Sequence, residues 1–297
     1  MRLVTFSSGD GGVRIGALSG DGAGIVDFAA DAPDLPRDMT ELIEGGDGAL
    51  AMARDAEGAA KSVVALCDAT LLAPIPRPRR NIFCVGKNYY DHAEEFAQSG
   101  FDKSSSGSAV PDEPIIFTKA TTSVIGPGVA IQSDLDPTDS LDYEGEIAFV
   151  IGKAGRGITK AEAYGHIFGY TIINDVTART VQRKHAQWFL GKSMDGFCPM
   201  GPYLVTADEV GDVTAINLTT RVNGEVRQEA SVSDLIFDIP TLVECLSLGM
   251  TLEAGDIVST GTPAGVGIGF KPPRFLKPGD RVAIAFDRLG VLENPVA

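Results

Sequence analysis

Apolar positions in this chain fall mainly in short, β-branched or alternating runs, broken by Gly, Pro and Asp. Arg2–Phe6, Val13–Leu18 and Gly24–Phe28 read as short strands joined by Gly/Asp turns. Met39–Glu44 and Ala49–Cys67 carry helical spacing. The segment Leu72-Ala-Pro-Ile-Pro-Arg-Pro-Arg-Arg holds three prolines, which deny it a helix and mark a linker. Beyond it, 81–86 reads as a buried strand. Further strand-like runs follow at Ile115–Thr118, Ile147–Ile151, Gly169–Asn174, Tyr203–Thr206, Asn217–Val222, Asp256–Thr260 and Arg281–Phe286. Helical spacing interrupts them at Lys160–Tyr164, Thr177–Gln187 and Ile239–Ser247.

Strands dominate and do not alternate regularly with helices. That argues against a doubly wound sheet or a (β/α)₈ barrel and predicts a β-rich α+β fold. The expected division is a small N-terminal unit, residues 1–71, followed by a main domain, 72–297. Gln98–Glu113 is polar and rich in Ser and Gly. A connection of that length reads as either a disordered segment or a functional lid.

With 297 residues, 44% of them hydrophobic, the chain can bury a sizeable core. Its net charge of −15 repels phosphate backbones and argues against nucleic-acid binding. An acidic protein that handles anionic substrates needs a local positive focus, from a metal or from a few Arg and Lys. Cys67, Cys84, Cys198 and Cys245 show no paired spacing and read as reduced thiols of a cytoplasmic protein, with no zinc site. The N-terminus lacks the long apolar core of a secretory signal, and no segment has the length to span a bilayer.

The most informative chemistry is Glu144-Gly-Glu146 ahead of the apolar run Ile147–Ile151. Strand residues two apart share a face, so both carboxylates project side by side. A second apolar run, 170–174, leads into Asp175. Three acids converging on a partly buried site repel one another unless a cation offsets their desolvation, and hard oxygen ligands suit Mg²⁺, Mn²⁺ or Ca²⁺. The alternative is a solvated edge strand.

His92 and Glu95 lie in a short helical stretch at i, i+3 and share a face. A carboxylate that accepts the second imidazole N–H raises the basicity of the ring; the alternative is an exposed ion pair. His166 and His185 have no such pattern and read as structural. Arg179 and Gln182, also at i, i+3, fall close after Asp175, and Arg179 suits a fork on a substrate carboxylate or a plain surface position. Lys192 follows the run Trp188–Leu190, a setting for a partly buried ammonium near an anion or for a snorkelling lysine. Gly261–Gly269 fits neither a phosphate loop nor Gly-x-Gly-x-x-Gly, and Gly191-Lys-Ser-Met-Asp-Gly misses the nucleophile elbow.

Val85-Gly-Lys-Asn-Tyr-Tyr-Asp-His, Tyr143-Glu-Gly-Glu, Asn174-Asp-Val-Thr-Ala-Arg, Gly191-Lys-Ser, Val222-Asn-Gly-Glu and Ser259-Thr-Gly-Thr-Pro-Ala-Gly-Val-Gly together resemble the signature of the fumarylacetoacetate hydrolase superfamily. They stand in consistent order over residues 72–290. The resemblance implies a mixed β-roll or β-sandwich catalytic domain behind a variable N-terminal extension, and a homodimer. It also implies an Mg²⁺ or Mn²⁺ site from Glu144, Glu146 and Asp175. By the same resemblance His92 and Glu95 match a water-activating dyad, and Lys192 matches a lysine that stabilises developing negative charge. Arg179, Gln182 and Thr262 match substrate contacts.

Such a site suits a 2-oxo acid, chelated through its carboxylate and 2-oxo oxygen and stabilised as an enolate at C3. The leading expectation is hydrolysis of the C3–C4 bond of a 2,4-dioxo acid of the acylpyruvate or fumarylpyruvate type. The alternatives are oxaloacetate decarboxylation or isomerisation of a 2-hydroxy-dienedioate by the same enolate chemistry, and a non-catalytic metal domain that binds a small acid. The side of the pocket that reads the rest of the substrate is expected from the lid and 270–276, where Arg274 suits either a second carboxylate or the surface.

Overall fold

The computed structural model describes every residue except 10, 102–107 and 186. Among the described residues the dominant element is a twelve-stranded sheet. Its main path runs Val63–Ala65, Gly24–Asp27, Val13–Leu18, Arg2–Ser7, Cys198–Thr206, Ile167–Asn174, Gly145–Ile151, Ile257–Ser259, Ile82–Gly86 and Ile115–Lys119. A four-stranded antiparallel sheet packs beside it in the order Glu225–Ser231, Asn217–Val222, Arg281–Phe286, Gly290–Pro295. The β-rich α+β expectation therefore holds.

Gly145–Ile151 lies in the middle of the large sheet with every residue buried. The period of two sorts its side chains: Ile147, Phe149 and Ile151 join the main core, while Ala148 and Val150 join a second core on the opposite face. That second core includes Leu3, Phe28, Met39, Leu42 and Ala53 from the N-terminal segment together with Ile82, Cys84, Met200 and Leu204. Arg2 and Leu3 pair with Val205 and Leu204, so the N-terminal strands extend the large sheet without a break. The Met1 ammonium donates to Thr206 Oγ1 at 2.9 Å.

Several elements differ from the sequence expectation. The helix expected over Ala49–Cys67 spans Gly46–Ala59. Asp31 then accepts from the Lys61 and Ser62 N–H groups, and Val63–Ala65 pairs with Gly24–Val26, because a β-branched run gains more from the sheet edge than from a helix. In place of the helix at Lys160–Tyr164 there is a turn leading into a 3₁₀ segment, Ala163–His166. Thr177–Ala178 pairs with Leu141–Asp142, so the following helix is only Arg179–His185. The polar edge strand Glu225–Ser231 and the strand Gly290–Pro295 were not expected. The middle of the expected 98–113 lid, 102–107, lies outside the described residues.

Candidate active site

The antiparallel ladder between Gly145–Ile151 and Ile167–Asn174 pairs Gly145 with Asn174 and Glu146 with Ile173. One step beyond, the Asp175 N–H donates to the Glu144 carbonyl at 2.9 Å, which sets Asp175 opposite Glu144. Residues directly opposite share a face of the sheet, and so do residues two apart on one strand. One carboxylate oxygen from each of Glu144, Glu146 and Asp175 consequently lies within 4.8 Å of the others, with all three residues buried.

Buried cations offset much of this charge. Lys192 Nζ donates to Glu144 Oε2 at 2.7 Å, Asp175 Oδ2 at 2.6 Å and Thr177 Oγ1 at 2.8 Å. Lys119 Nζ, fully buried, donates to Asp175 Oδ1 at 2.6 Å and to the Val176 carbonyl at 3.1 Å. Arg179 bridges Asp142 Oδ2 (2.8 Å) and Glu144 Oε1 (2.6 Å), and its remaining nitrogen, Nη2, has no protein partner. Burial opposes the charge on Glu144, but Arg179 and Lys192 outweigh it and hold the carboxyl well below the usual range. Among the described residues no cation pairs directly with Glu146. Burial, then repulsion from Asp175 and Glu144, push it well above the ordinary value despite the bond from Ser259 Oγ at 2.5 Å. Burial works against the Lys192 ammonium, yet Asp175 and Glu144 raise it above the ordinary lysine value.

The glycine-rich segment 261–269 turns its amides onto the protein's own acids. The Gly261 N–H donates to Glu146 Oε2 (2.9 Å), Gly265 N–H to Glu95 Oε1 (3.0 Å), and Gly267 and Ile268 to Asp142 (2.6 and 3.1 Å). It is a cradle for carboxylates rather than for a phosphate. At Gly269 an added Cβ would lie 1.8 Å from Glu95 Oε1, so the loop fixes that carboxylate by shape as well.

Helix Tyr90–Gln98 presents His92 with Nδ1 3.1 Å from Glu95 Oε2. An ionised Glu95 selects the Nδ1–H tautomer and leaves Nε2 as a proton acceptor. His92, Glu144, Glu146, Arg179, Gln182, Lys192 and Thr262 line one small cavity. Lys87, Phe96, Phe117 and Trp188 close its other walls, with the Trp188 ring lying over Gly86. Gln182 is buried there with Oε1 unpartnered. Thr262 Oγ1 is already engaged, donating to the Gly145 carbonyl at 3.0 Å and accepting from Gln228.

The three carboxylates offer hard oxygen donors, and their oxygens keep lone-pair capacity beyond the contacts they make, so the set fits Mg²⁺ or Mn²⁺. The segment 270–276 contributes nothing to the cavity wall among the described residues. Arg274 is held by both oxygens of Glu225 on the surface, and its guanidinium and that of Arg227 lie 5.1 and 5.0 Å from the Phe270 ring centroid. His166 bonds the Lys153 carbonyl, away from the cavity.

The fumarylacetoacetate hydrolase C-terminal profile matches residues 81–297. The chain belongs to the fumarylacetoacetate hydrolase family. It is 48% identical over 270 residues to the oxaloacetate tautomerase YisK of Bacillus subtilis, covering 88% of this chain and 87% of that one. It is 42% identical over 299 residues to the mitochondrial oxaloacetate tautomerase fahd2 of Xenopus laevis, covering 100% of this chain and 90% of that protein. The crystal structure of maleylpyruvate hydrolase from Sphingobium sp. SYK-6 with manganese(II) and pyruvate superposes with a TM-score of 0.77 at 29% identity, over 100% of this chain and 99% of that chain. Like these relatives, this member of the fumarylacetoacetate hydrolase family is an enzyme.

Sequence reasoning missed Lys119, Asp142 and Gln228. Lys119 ends an apolar run, Ile115–Thr118, and a lysine there reads as the first solvated residue after a strand. Its burial follows from antiparallel pairing with Ile82, which carries it under Asp175. Asp142 directly precedes the Tyr143-Glu-Gly-Glu motif, the one signal that marked it.

Proposed function

We propose that this enzyme interconverts the enol and keto forms of a small dicarboxylic 2-oxo acid of the oxaloacetate type, with Mg²⁺ or Mn²⁺ held by Glu144, Glu146 and Asp175. The observation that carries the reading is the meeting of a base, His92, and the carboxylate–ammonium cluster in one small cavity. Enolisation needs those two elements and no attacking water. The tautomerase names of two relatives above 40% identity favour it over the C3–C4 hydrolysis expected from the sequence. The Sphingobium relative supports the hydrolytic reading at lower identity.

Charge supports an anionic substrate. Asp142, Glu144, Glu146 and Asp175 count four negative charges when ionised, against three positive from Lys119, Arg179 and Lys192. A divalent cation turns that net of one negative into one net positive. When bound, the cation supplies a Lewis-acid charge that favours an enolate over the ketone.

The protein's own groups do the rest. Arg179 Nη2 donates to the C1 carboxylate, and the Gln182 amide flanks it. His92 Nε2 takes a proton from C3 of the keto form, the C3–H electrons become the C2–C3 double bond, and the oxygen at C2 takes up a proton from the imidazolium so formed, which regenerates the base. The reverse sequence returns the ketone. Glu95 keeps the imidazole oriented and stabilises its protonated form. Phe96, Phe117 and Trp188 limit water around the enol.

The test follows enol absorbance of oxaloacetate with Mg²⁺, with Mn²⁺ and with EDTA, beside acetylpyruvate, fumarylpyruvate and a hydroxymuconate-type diacid. Metal-dependent tautomerisation well above the rates of hydrolysis and decarboxylation is expected. Faster cleavage of an acylpyruvate than enolisation of oxaloacetate would overturn the assignment.

A further inference from the structure

Gln228, 1% exposed, is the one residue of the edge strand Glu225–Ser231 that is buried as a whole. The register explains how it is aimed. Thr220 pairs with Gln228 and Arg221 with Val226, leaving Arg227 as the extra residue of a bulge, the device by which strands re-aim a side chain beside a site.

All the amide capacity that Gln228 uses goes to the ground beneath the carboxylate cluster. Its Oε1 accepts from the Gly145 N–H at 3.1 Å. Its Nε2 donates to Thr262 Oγ1 and to the Pro263 carbonyl, each at 2.8 Å. Thr262 Oγ1 in turn donates to the Gly145 carbonyl at 3.0 Å. The three bonds among Gly145, Gln228 and Thr262 close a ring. It holds the N–H of the peptide that follows Glu144 and the carbonyl of the peptide that precedes Glu146. The fit also dictates the middle residue of Glu-Gly-Glu: a Cβ on Gly145 would lie 2.4 Å from Thr220 Oγ1 and 3.2 Å from Gln228 Oε1.

We propose that Gln228 is a positioning residue: by clamping the backbone between Glu144 and Glu146 it sets the spacing of their carboxylates and thereby the affinity of the cation site. It touches neither cation nor substrate and acts through Gly145 and Thr262. The inference rests on the cation reading given above. Outer partners of a ligand set typically matter about 10–100-fold in metal affinity, and a clamp on the intervening backbone belongs at the lower end of that range.

The test is Mn²⁺ titration of the metal-free full chain, with free Mn²⁺ read by electron paramagnetic resonance and melting of each metal-free variant read alongside. Gln228→Met fills the space without the bonds. Gln228→Glu keeps the acceptor for Gly145 but sets a carboxylate against Thr262 Oγ1 and the Pro263 carbonyl. Both are expected to weaken Mn²⁺ binding about tenfold or more. Thr262→Val opens the same ring from the other side and is expected to weaken binding similarly, with the Gln228→Met/Thr262→Val double variant no weaker than the worse single one. If Gln228→Met does not fold, Thr262→Val decides. Unchanged Mn²⁺ affinity in the folded variants, with only a lower melting temperature, makes Gln228 merely structural and overturns the proposal. A wild-type chain that binds no Mn²⁺ removes the cation reading itself, a distinct result.

Discussion

His92 Nδ1 and Glu95 Oε2 lie 3.1 Å apart, with the other Glu95 oxygen fixed by the Gly265 N–H. The carboxylate is thus held from outside the helix and cannot swing away from the imidazole. His92→Asn is expected to lower kcat for enolisation by roughly 10²–10⁴-fold, the usual worth of a positioned base. Glu95→Gln should cost less, since the base remains. Steady-state kinetics check both, and wild-type turnover by His92→Asn would remove His92 from proton transfer.

Gly269 offers a subtler probe of the same carboxylate. The group that an alanine methyl would meet is the far end of the Glu95 side chain, 1.8 Å from the added Cβ. Gly269→Ala is therefore expected to displace Glu95 and to reduce kcat toward the Glu95→Gln level. The melting temperature should fall only slightly, as a flexible side chain yields more easily than backbone.

Lys119 and Asp175 form a pair with no exposed side-chain surface. Removing one member of a buried pair strands the other's charge, at a cost of about 3–5 kcal/mol. Lys119→Met should destabilise the metal-free protein by that order in urea unfolding. Mn²⁺ should restore part of the loss, because it supplies Asp175 with a new partner. A loss below ~1 kcal/mol would show that Lys192 alone suffices for Asp175.

Cation binding should itself raise the melting temperature. A ligand that binds only the folded chain stabilises it by about 2.7 kcal/mol at a hundred times its dissociation constant. Scanning calorimetry with EDTA and then with excess Mn²⁺ measures this, and Glu146→Gln should shrink the difference.

The pH dependence has a definite sign. Folded Glu146 has a raised pKa, so above the ordinary glutamate value of 4.5 the folded chain holds a proton that the unfolded chain has released. Its contribution to metal-free stability is therefore greatest below that pH and is lost as pH rises through the folded value. Glu144, lowered in the fold, acts in the opposite sense and loses its contribution only on acidification below 4.5. From about pH 5 to 8 the metal-free wild type should lose stability relative to Glu146→Gln, and saturating Mn²⁺ should remove that slope. Parallel curves for the two metal-free proteins would sink the expectation.

The clustering of Glu144, Glu146 and Asp175 was legible because strand periodicity is local: two residues apart means one face, and a motif at the end of the neighbouring run supplies the third acid. The β-rich class was legible for the same reason. What the sequence hid depends on pairing at a distance. Lys119 is buried because it lies opposite Ile82, and Gln228 because a bulge turns it inward from a polar edge strand. Val63–Ala65 shows the converse case, a segment with helical spacing drawn into a sheet by the open edge of Gly24–Asp27. Neither hydrophobic spacing nor composition encodes the partner strand.

Trp188, the single tryptophan of the chain, stands in the cavity wall against Phe96 and Phe117. Its intrinsic fluorescence is accordingly free of contributions from any other indole, and a quenching titration with oxalate reports occupancy of the pocket directly. Binding can then be followed in variants that no longer turn over, without attaching a dye.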